Sequence, residues 1–470
     1  MKSRWVPVAL GTLIVGAVIF AIIGGLTQPT PQKKMSANQI EVPPGYRVSK
    51  VATGLTFPTS LEFGERGELL IAEAGYAYGP KQAKPRVVQV NRDGTLSAVV
   101  AGLNGPVNGI RFRNGRLYIS HRGKISVFEK GRLTDLVTGL PSWGDHHNND
   151  LVFGPDGKLY FGQGTATNAG IVGNDNFLYG WVPKYPKFHD IPAHDIRLSG
   201  LNRRTVDLRT PDPKDTVLTG AFVPFGTTTS KGQVIKGAVP ATGAIIRMNP
   251  DGTQMENFAW GLRNPFGLCF SPSGRLYVTN NGYDNRGLRP VENAADQLYV
   301  LNKDDFCGWP DFSGDIPLND PRFRSARGPE AGQVMMEHPP VVKPLASFPG
   351  HAAAMKMDIA RGDRVGGKGD IFVALFGSGE PTTGRPQGIP GHQVVRVDPA
   401  TGQYTVFARN RNQGPAGRSL NGFNRPIDVK FSPDGKYLYV IDFGVFEIHA
   451  LSPNAVPGTG VLWRIEKTGT

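Results

Sequence analysis

The chain has 470 residues, with 52 Lys+Arg against 39 Asp+Glu and a net charge of +13. Glycine takes 61 positions and proline 39, which excludes a helical bundle or coiled coil and favours short strands joined by tight turns. Hydrophobic residues at 39% exclude a disordered chain, and two cysteines exclude a disulfide scaffold or a Cys₄ zinc site. Lys and Arg are scattered, with no dense run beyond Lys33-Lys34, so the charge reads as a basic surface of an exported protein and not as a nucleic-acid footprint.

Lys2 and Arg4 precede an uncharged stretch at 5–26. A helix of that length spans a hydrocarbon core of about 30 Å. No Ala-x-Ala cleavage site follows and no lipobox-like cysteine is present. Residues 1–30 are therefore expected to form an uncleaved single-pass anchor in the inner membrane with its basic end in the cytoplasm, the rest being periplasmic. A cleaved signal peptide that releases the protein to the periplasm is the alternative. Residues 31–45 read as a Pro-rich linker.

From residue 46 onward one phrase recurs six times: a turn with Pro or His, an apolar strand, a Gly-containing turn and a second apolar strand. The copies begin near Phe57-Pro58, Gly105-Pro106, Asp145-His146, Arg263-Asn264, Gly350-His351 and Asn424-Arg425. A third strand follows in each, for instance Gln393-Val394-Val395-Arg396-Val397, and a fourth shows in places, as at 96–101. Each copy opens as a hairpin. Six such units predict an all-β, six-bladed β-propeller of four-stranded blades over 46–470. The last copy stops after its third strand, so residues 46–51 are expected to supply its outer strand against 461–465 and close the ring. Insertions near 165–242, 303–347 and 378–391 interrupt the rhythm, and such loops often carry function.

In a propeller the innermost strands line the axis, and the residues leading into them gather at one mouth. Those segments bring together Asp145-His146-His147-Asn148, Arg263-Asn264, His351 and Arg425, with Asn104 and Pro58-Thr59 nearer the rim. A base candidate beside fixed positive charge suits proton abstraction next to an anionic or electron-accepting group. Adjacent strand residues face opposite ways, so one histidine of the pair is expected at the axis. No His-Glu-x-x-His, no Gly-x-Gly-x-x-Gly and no Cys-x-x-Cys-His occurs, so zinc, a Rossmann cofactor and attached haem lack support. Cys269 and Cys307 read as buried free thiols, although an exported location would permit a bridge.

At these residues the chain resembles the pyrroloquinoline-quinone-dependent glucose/sorbosone (aldose sugar) dehydrogenases. The marks are Asp145-His146-His147-Asn148-Asn149-Asp150-Leu151 and Gly261-Leu262-Arg263-Asn264-Pro265-Phe266-Gly267, supported by Asn281-Gly282, Cys307-Gly308-Trp309-Pro310 and Arg425-Pro426-Ile427-Asp428-Val429. The resemblance implies oxidation of an aldose or sorbosone-like sugar, with electrons passed to an external acceptor. It implies that His146 is the general base and that Asp145 holds the base or the substrate. Arg263 would stabilise charge on the reduced quinone, Asn264 would orient the cofactor, and Arg425 would pair with one of its carboxylates. Main-chain carbonyls of Gly282 and Tyr283 would ligate Ca²⁺. The chain departs from the family pattern at Tyr283, Gln297 and Ile427, where Pro, Glu and a second basic residue are usual. A calcium-dependent lactonase and a non-enzymatic binding propeller are the competing readings.

Overall fold

The computed structural model describes residues 39–75, 83–379, 383–384, 386–449 and 452–469. The apolar stretch 5–26 lies outside them. Among the described residues no helix is long and apolar enough to cross a membrane.

Six antiparallel sheets form the blades of a β-propeller. From the axis outward, blade 1 is Pro58–Phe63, Leu69–Glu73, Arg86–Val90 and Leu96–Val100. Blade 2 is Val107–Arg113, Arg116–His121, Lys124–Glu129 and Arg132–Thr138. Blade 3 is Asn148–Phe153, Leu159–Gln163, Ala244–Met248 and Glu256–Trp260, and blade 4 is Asn264–Phe270, Leu276–Asn281, Asp296–Leu301 and Ala346–Phe348. Blade 5 is Ala354–Ile359, Ile371–Leu375, Gln393–Val397 and Tyr404–Asn410. Blade 6 is Pro426–Phe431, Tyr437–Asp442 and Gly460–Lys467, completed by Tyr46–Leu55. That last pairing, with Val48 opposite Ile465 and Lys50 opposite Trp463, closes the ring as the incomplete sixth copy predicts. Blade 5 gains a fifth strand, because Ile40 and Glu41, expected in the linker, pair with Asn410 and Arg409.

The inner hairpins follow from turn chemistry. In Pro155-Asp156-Gly157 the Asp156 carboxylate accepts from the Lys158 amide at 3.1 Å while Gly157 takes φ +78°. Asp434 and Gly435 repeat the arrangement in blade 6. Every inner hairpin also carries a register shift near the start of its axial strand, between Pro58 and Ser60, Val107 and Gly109, Asn148 and Leu151, Pro265 and Leu268, Ala354 and Met357, and Pro426 and Asp428. A bulge sharpens the local twist and re-aims side chains. Six of them at one end of the ring turn the residues ahead of each axial strand toward a common mouth.

Apolar side chains fill the space between blades; Trp463 and Phe372 are fully buried, and Phe372 meets the Phe431 ring edge-on at 5.3 Å. Along the axis the inner strands carry charge instead. Arg111 bonds Glu62 at 2.8 Å, Lys430 lies 3.5 Å from Glu62, and Lys356 lies 3.1 Å from Asp150. Asp358 and Asp428 accept from the backbone amides of Phe431 and Leu61. Buried charges persist only when paired in this way, and the belt ties blades 1, 2, 3, 5 and 6 across the axis.

Burial pushes the carboxyls of Asp428 and Asp296 up to about 7. Each binds a proton more readily in the folded chain than in the unfolded one, so its contribution to stability is lost as pH rises through about 7. Burial pushes His121 down to about 4, and His147 and His392 to about 3. The unfolded chain protonates these rings first, so their contribution is lost as pH falls below the ordinary histidine range of about 6.5. Below about pH 6.5 the two sets of groups pull in opposite directions and above about pH 7 neither changes the stability further, so these groups leave the melting temperature level from about pH 7 to 9. Calorimetric melts from pH 4 to 9 check this; a melting temperature that climbs steadily to pH 9 would contradict it.

Candidate functional site at the axial mouth

Asp145, His146 and His147 lie just ahead of the first strand of blade 3. The His146 backbone amide and its Nδ1 both donate to the Thr165 carbonyl, at 3.1 and 3.0 Å. A carbonyl can only accept, so Nδ1 carries the proton and Nε2 keeps its lone pair. No hydrogen bond from the described residues engages Nε2. Burial, and next the positive charges of Arg263 and Arg286, hold the ring well below the ordinary histidine range. His146 is thus a neutral imidazole with an open acceptor. Its closeness to the sheet requires Gly164, where a Cβ would stand 2.3 Å from His146 Cβ. His147 is turned inward: Nδ1 donates to the Ser142 carbonyl at 3.2 Å, and the ring packs edge-on against Trp181.

Asp145 is buried. It accepts from Asn176 at 2.9 Å and from Arg286 Nη2 at 2.7 Å. Burial raises its carboxyl to about 6 against the pull of Arg286. Arg286 is the hub of a buried charge cluster, reaching Asp175 at 2.5 Å and Asp284 at 3.1 Å as well. Burial pushes Asp284 up, but the guanidiniums of Arg263 and Arg286 outweigh it and hold that carboxyl low. The Tyr179 ring lies over Arg286 at 5.3 Å and is half-open to solvent.

Arg263 is 3% exposed. Its Nη2 bonds Asp284 at 2.6 Å, Nη1 bonds the Gly282 carbonyl at 2.6 Å, and Nε donates to the Asn168 side chain and carbonyl at 3.1 and 3.3 Å. The Gly-Trp-Pro segment serves this arrangement, because Trp309 Nε1 donates to the same Asn168 carbonyl at 3.2 Å. Asn264 belongs to a row of amides across the floor of the mouth. Asn108 donates to Asn149, Asn149 to Asn264, Asn264 to Asn281, and Asn281 to the Ala354 carbonyl, at 2.8–3.2 Å.

Arg425 sits apart. Its guanidinium lies between the rings of Phe376 and Phe446, at 5.2 and 5.4 Å, and Nη1 donates to the Ser378 carbonyl at 2.7 Å. Ile427 is buried in the apolar layer between blades 6 and 1. His351, at φ +64°, is half-buried. Thr59 is buried and bonds the Val107 carbonyl at 2.6 Å, and Asn104 is exposed at the rim. The fold therefore joins Asp145, His146, Arg263 and Asn264 at one mouth, with Arg425 on a separate wall.

Sequence reasoning missed Arg286, Asp284, Asp175 and Asn168. Asp284 and Arg286 follow Asn281-Gly282 by a few residues, and that adjacency was the available signal. Asp175 and Asn168 come from the insertion between the second and third strands of blade 3, pinned by Asp190, which accepts from Ala166, Thr167 and Thr242 at 2.5–2.9 Å. Among the described residues no group of three or more His, Cys, Asp or Glu is arranged to hold a metal ion. The two cysteines are free, Cys269 half-buried and Cys307 buried.

The Gly282 carbonyl, expected as a calcium ligand, already accepts from a buried guanidinium. Tyr283 points its ring inward and donates its hydroxyl to the Phe312 carbonyl at 2.9 Å. As folded, a buried guanidinium occupies the Gly282 carbonyl, and a calcium ion does not fit there beside it. The same mouth carries a neutral base with an open nitrogen, positive charge beside it and a floor of amides.

No protein-family model matches the chain. Quinoprotein glucose dehydrogenase B of Acinetobacter calcoaceticus is 26% identical over 182 residues, 38% of this chain and 29% of that protein. Pyrroloquinoline quinone-dependent pyranose dehydrogenase of Coprinopsis cinerea is 23% identical over 453 residues, 86% of this chain and 53% of that protein. The chain thus spans 29% and 53% of the length of these curated relatives. The quinone-binding domain of the Coprinopsis cinerea enzyme superposes with a TM-score of 0.55 at 18% identity, covering 93% of this chain and 98% of that one. Aldose sugar dehydrogenase of Streptomyces coelicolor, in its quinone-bound form, gives 0.53 at 16%, covering 91% and 99%. The soluble aldose sugar dehydrogenase of Escherichia coli gives 0.52 at 15%, covering 90% and 99%. The curated relatives are quinone-dependent glucose and pyranose dehydrogenases and these structural neighbours are sugar dehydrogenases, two of them described with the quinone, in line with the family that the motifs resemble. At these identities the superpositions establish a shared fold.

Proposed function

We propose that the protein is a pyrroloquinoline-quinone-dependent dehydrogenase of an aldose or sorbosone-like sugar. The observation that carries this reading is His146, a neutral imidazole locked through Nδ1 and open at Nε2, with the charges of Arg263 and Arg286 acting on it at the axial mouth. The quinone, when bound, supplies the acceptor for the hydride. His146 Nε2 takes the proton of the sugar hydroxyl, and Asp145 with Arg286 fixes the segment that carries the base. Positive charge at Arg263 favours the negative charge that accumulates during transfer. Asn264 orients the ring system from the floor, and Arg425 offers a carboxylate contact from the opposite wall. Electrons then leave to an external acceptor. The apolar stretch 5–26 supports delivery of the propeller to the periplasmic side of the inner membrane, either anchored there or released.

Loading the purified full chain with pyrroloquinoline quinone, then adding a sugar panel and an artificial electron acceptor, tests this directly. No oxidation of any sugar by the loaded protein rejects it and favours the lactonase or binding readings. Arg425→Lys keeps the charge but loses the planar fork, and should weaken quinone binding about tenfold without changing the melting temperature by more than about 2 °C. Titration of quinone fluorescence measures the first and calorimetry the second.

A further inference from the structure

The oxygen-rich point at the mouth is already filled by a cation of the chain's own. Around the Arg263 guanidinium stand the Gly282 carbonyl at 2.6 Å, Asp284 Oδ2 at 2.6 Å, Asn168 Oδ1 at 3.1 Å and the Asn168 carbonyl at 3.3 Å. These are hard oxygen donors of three kinds, carboxylate, amide and main chain, which is the set a calcium ion takes when it binds protein. The side chain among them is 4% exposed. The neighbouring carboxylates follow the same pattern, with Arg286 held by Asp145, Asp175 and Asp284. A divalent ion at Gly282 would have to displace a paired, buried guanidinium or sit against it.

We infer that Arg263 stands in the place of the divalent cation, so that this chain binds its quinone and polarises it without calcium. The inference rests on the quinone reading above, but the cation position can be tested apart from it. The guanidinium is held from two sides, by Asp284 and by Asn168, and Asn168 is in turn fixed by Trp309 and by the amide of Asp284 at 2.9 Å. Being part of the chain, the guanidinium does not exchange with solvent ions. Removing it should leave an oxygen cage with one carboxylate, able to take the metal that the wild type refuses.

Two measurements on the full chain test the cation position. The first is calcium binding without quinone, by isothermal titration after chelator treatment and by thermal melts in EGTA against ~1 mM Ca²⁺. Wild type should give no binding heat and no shift, whereas Arg263→Ala should rise by about 2 °C or more in calcium. The second is quinone affinity in EGTA and in calcium, expected to agree within about twofold for wild type. A calcium-dependent rise in the wild-type melting temperature overturns the inference, as does an approximately tenfold loss of quinone affinity in EGTA. A folded Arg263→Ala protein that stays blind to calcium also overturns it. Should that variant not fold, the wild-type melts and quinone titrations remain decisive on their own. Failure of quinone to bind under either condition would reject the dehydrogenase reading while the calcium titration still reports on the cation position.

Discussion

His146→Ala should lose about 10²–10⁴-fold in turnover, the span that a positioned general base contributes, while quinone affinity stays near that of the wild type. Among the described residues the ring's hydrogen bonds run through Nδ1 to Thr165 alone, and Nε2 is the atom the chemistry uses. His147→Ala should behave in the opposite way. That ring fills a buried space against Trp181, and truncating it should cost about 2–3 kcal/mol of stability with turnover largely kept. Steady-state kinetics and denaturant unfolding on the same two proteins separate the roles. Equal losses of turnover at both histidines in folded protein would remove the assignment. His146→Gln is a useful third protein, because an amide can reproduce a hydrogen bond to Thr165 but cannot take a proton. It should be nearly as slow as alanine.

Arg286→Met should be the most damaging single change to stability at this site. It removes the ion pairs of Asp145 and Asp175 with Arg286 and leaves Asp284 with Arg263. Breaking a buried ion pair from one side costs about 3–5 kcal/mol, and three carboxylates share this loss. The deficit has a definite pH sign. Buried carboxyls that have lost a neighbouring cation hold their protons to higher pH than in the unfolded chain, so the variant regains stability as pH falls and loses it as pH rises. Urea unfolding at pH 5 and pH 8 should show the smaller deficit at pH 5. The same variant also bears on the base. One of the two cations that depress His146 is gone, so the acid limb of kcat/KM should move to higher pH. A variant within about 1 kcal/mol of wild type at pH 8 would show that the cluster contributes no more than an exposed ion pair.

The six-bladed ring was legible because each copy repeats an apolar alternation, a Gly-containing turn and a second apolar strand. These features act locally and are written in consecutive residues. The closure by residues 46–51 was legible for a related reason, since an incomplete copy leaves an unpaired edge. Side-chain direction at the mouth was less so. Alternation was the argument for separating His146 from His147, yet both precede the strand, which begins at Asn148 and is broken by a bulge before Leu151. What separates them is the Thr165 carbonyl for one and the Ser142 carbonyl with Trp181 for the other. Arg263 and Arg425 occupy the same place in the phrase, and the backbone treats them alike. Their guanidiniums diverge because one meets Asp284 and Asn168 while the other meets Phe376 and Phe446. Those partners arrive from other blades and from insertions, where no short-range pattern announces them. Asp175 and Arg286, distant in sequence and 2.5 Å apart in the fold, were invisible for that reason.

The strand Tyr46–Leu55 finds its partner, Gly460–Lys467, only at the far end of the propeller sequence. During synthesis the first five blades can form hairpins as they emerge, but the seam between first and last must wait for the final strand. Until then the nascent chain is an open arc with an exposed edge at each end, and the axial charge belt lacks Asp428 and Lys430. Such an arc is long-range in its missing contacts and slow to close. Truncation within blade 6 should therefore not yield a five-bladed protein with one blade fewer. It should leave an arc with two sticky edges, prone to pair with a second copy of itself.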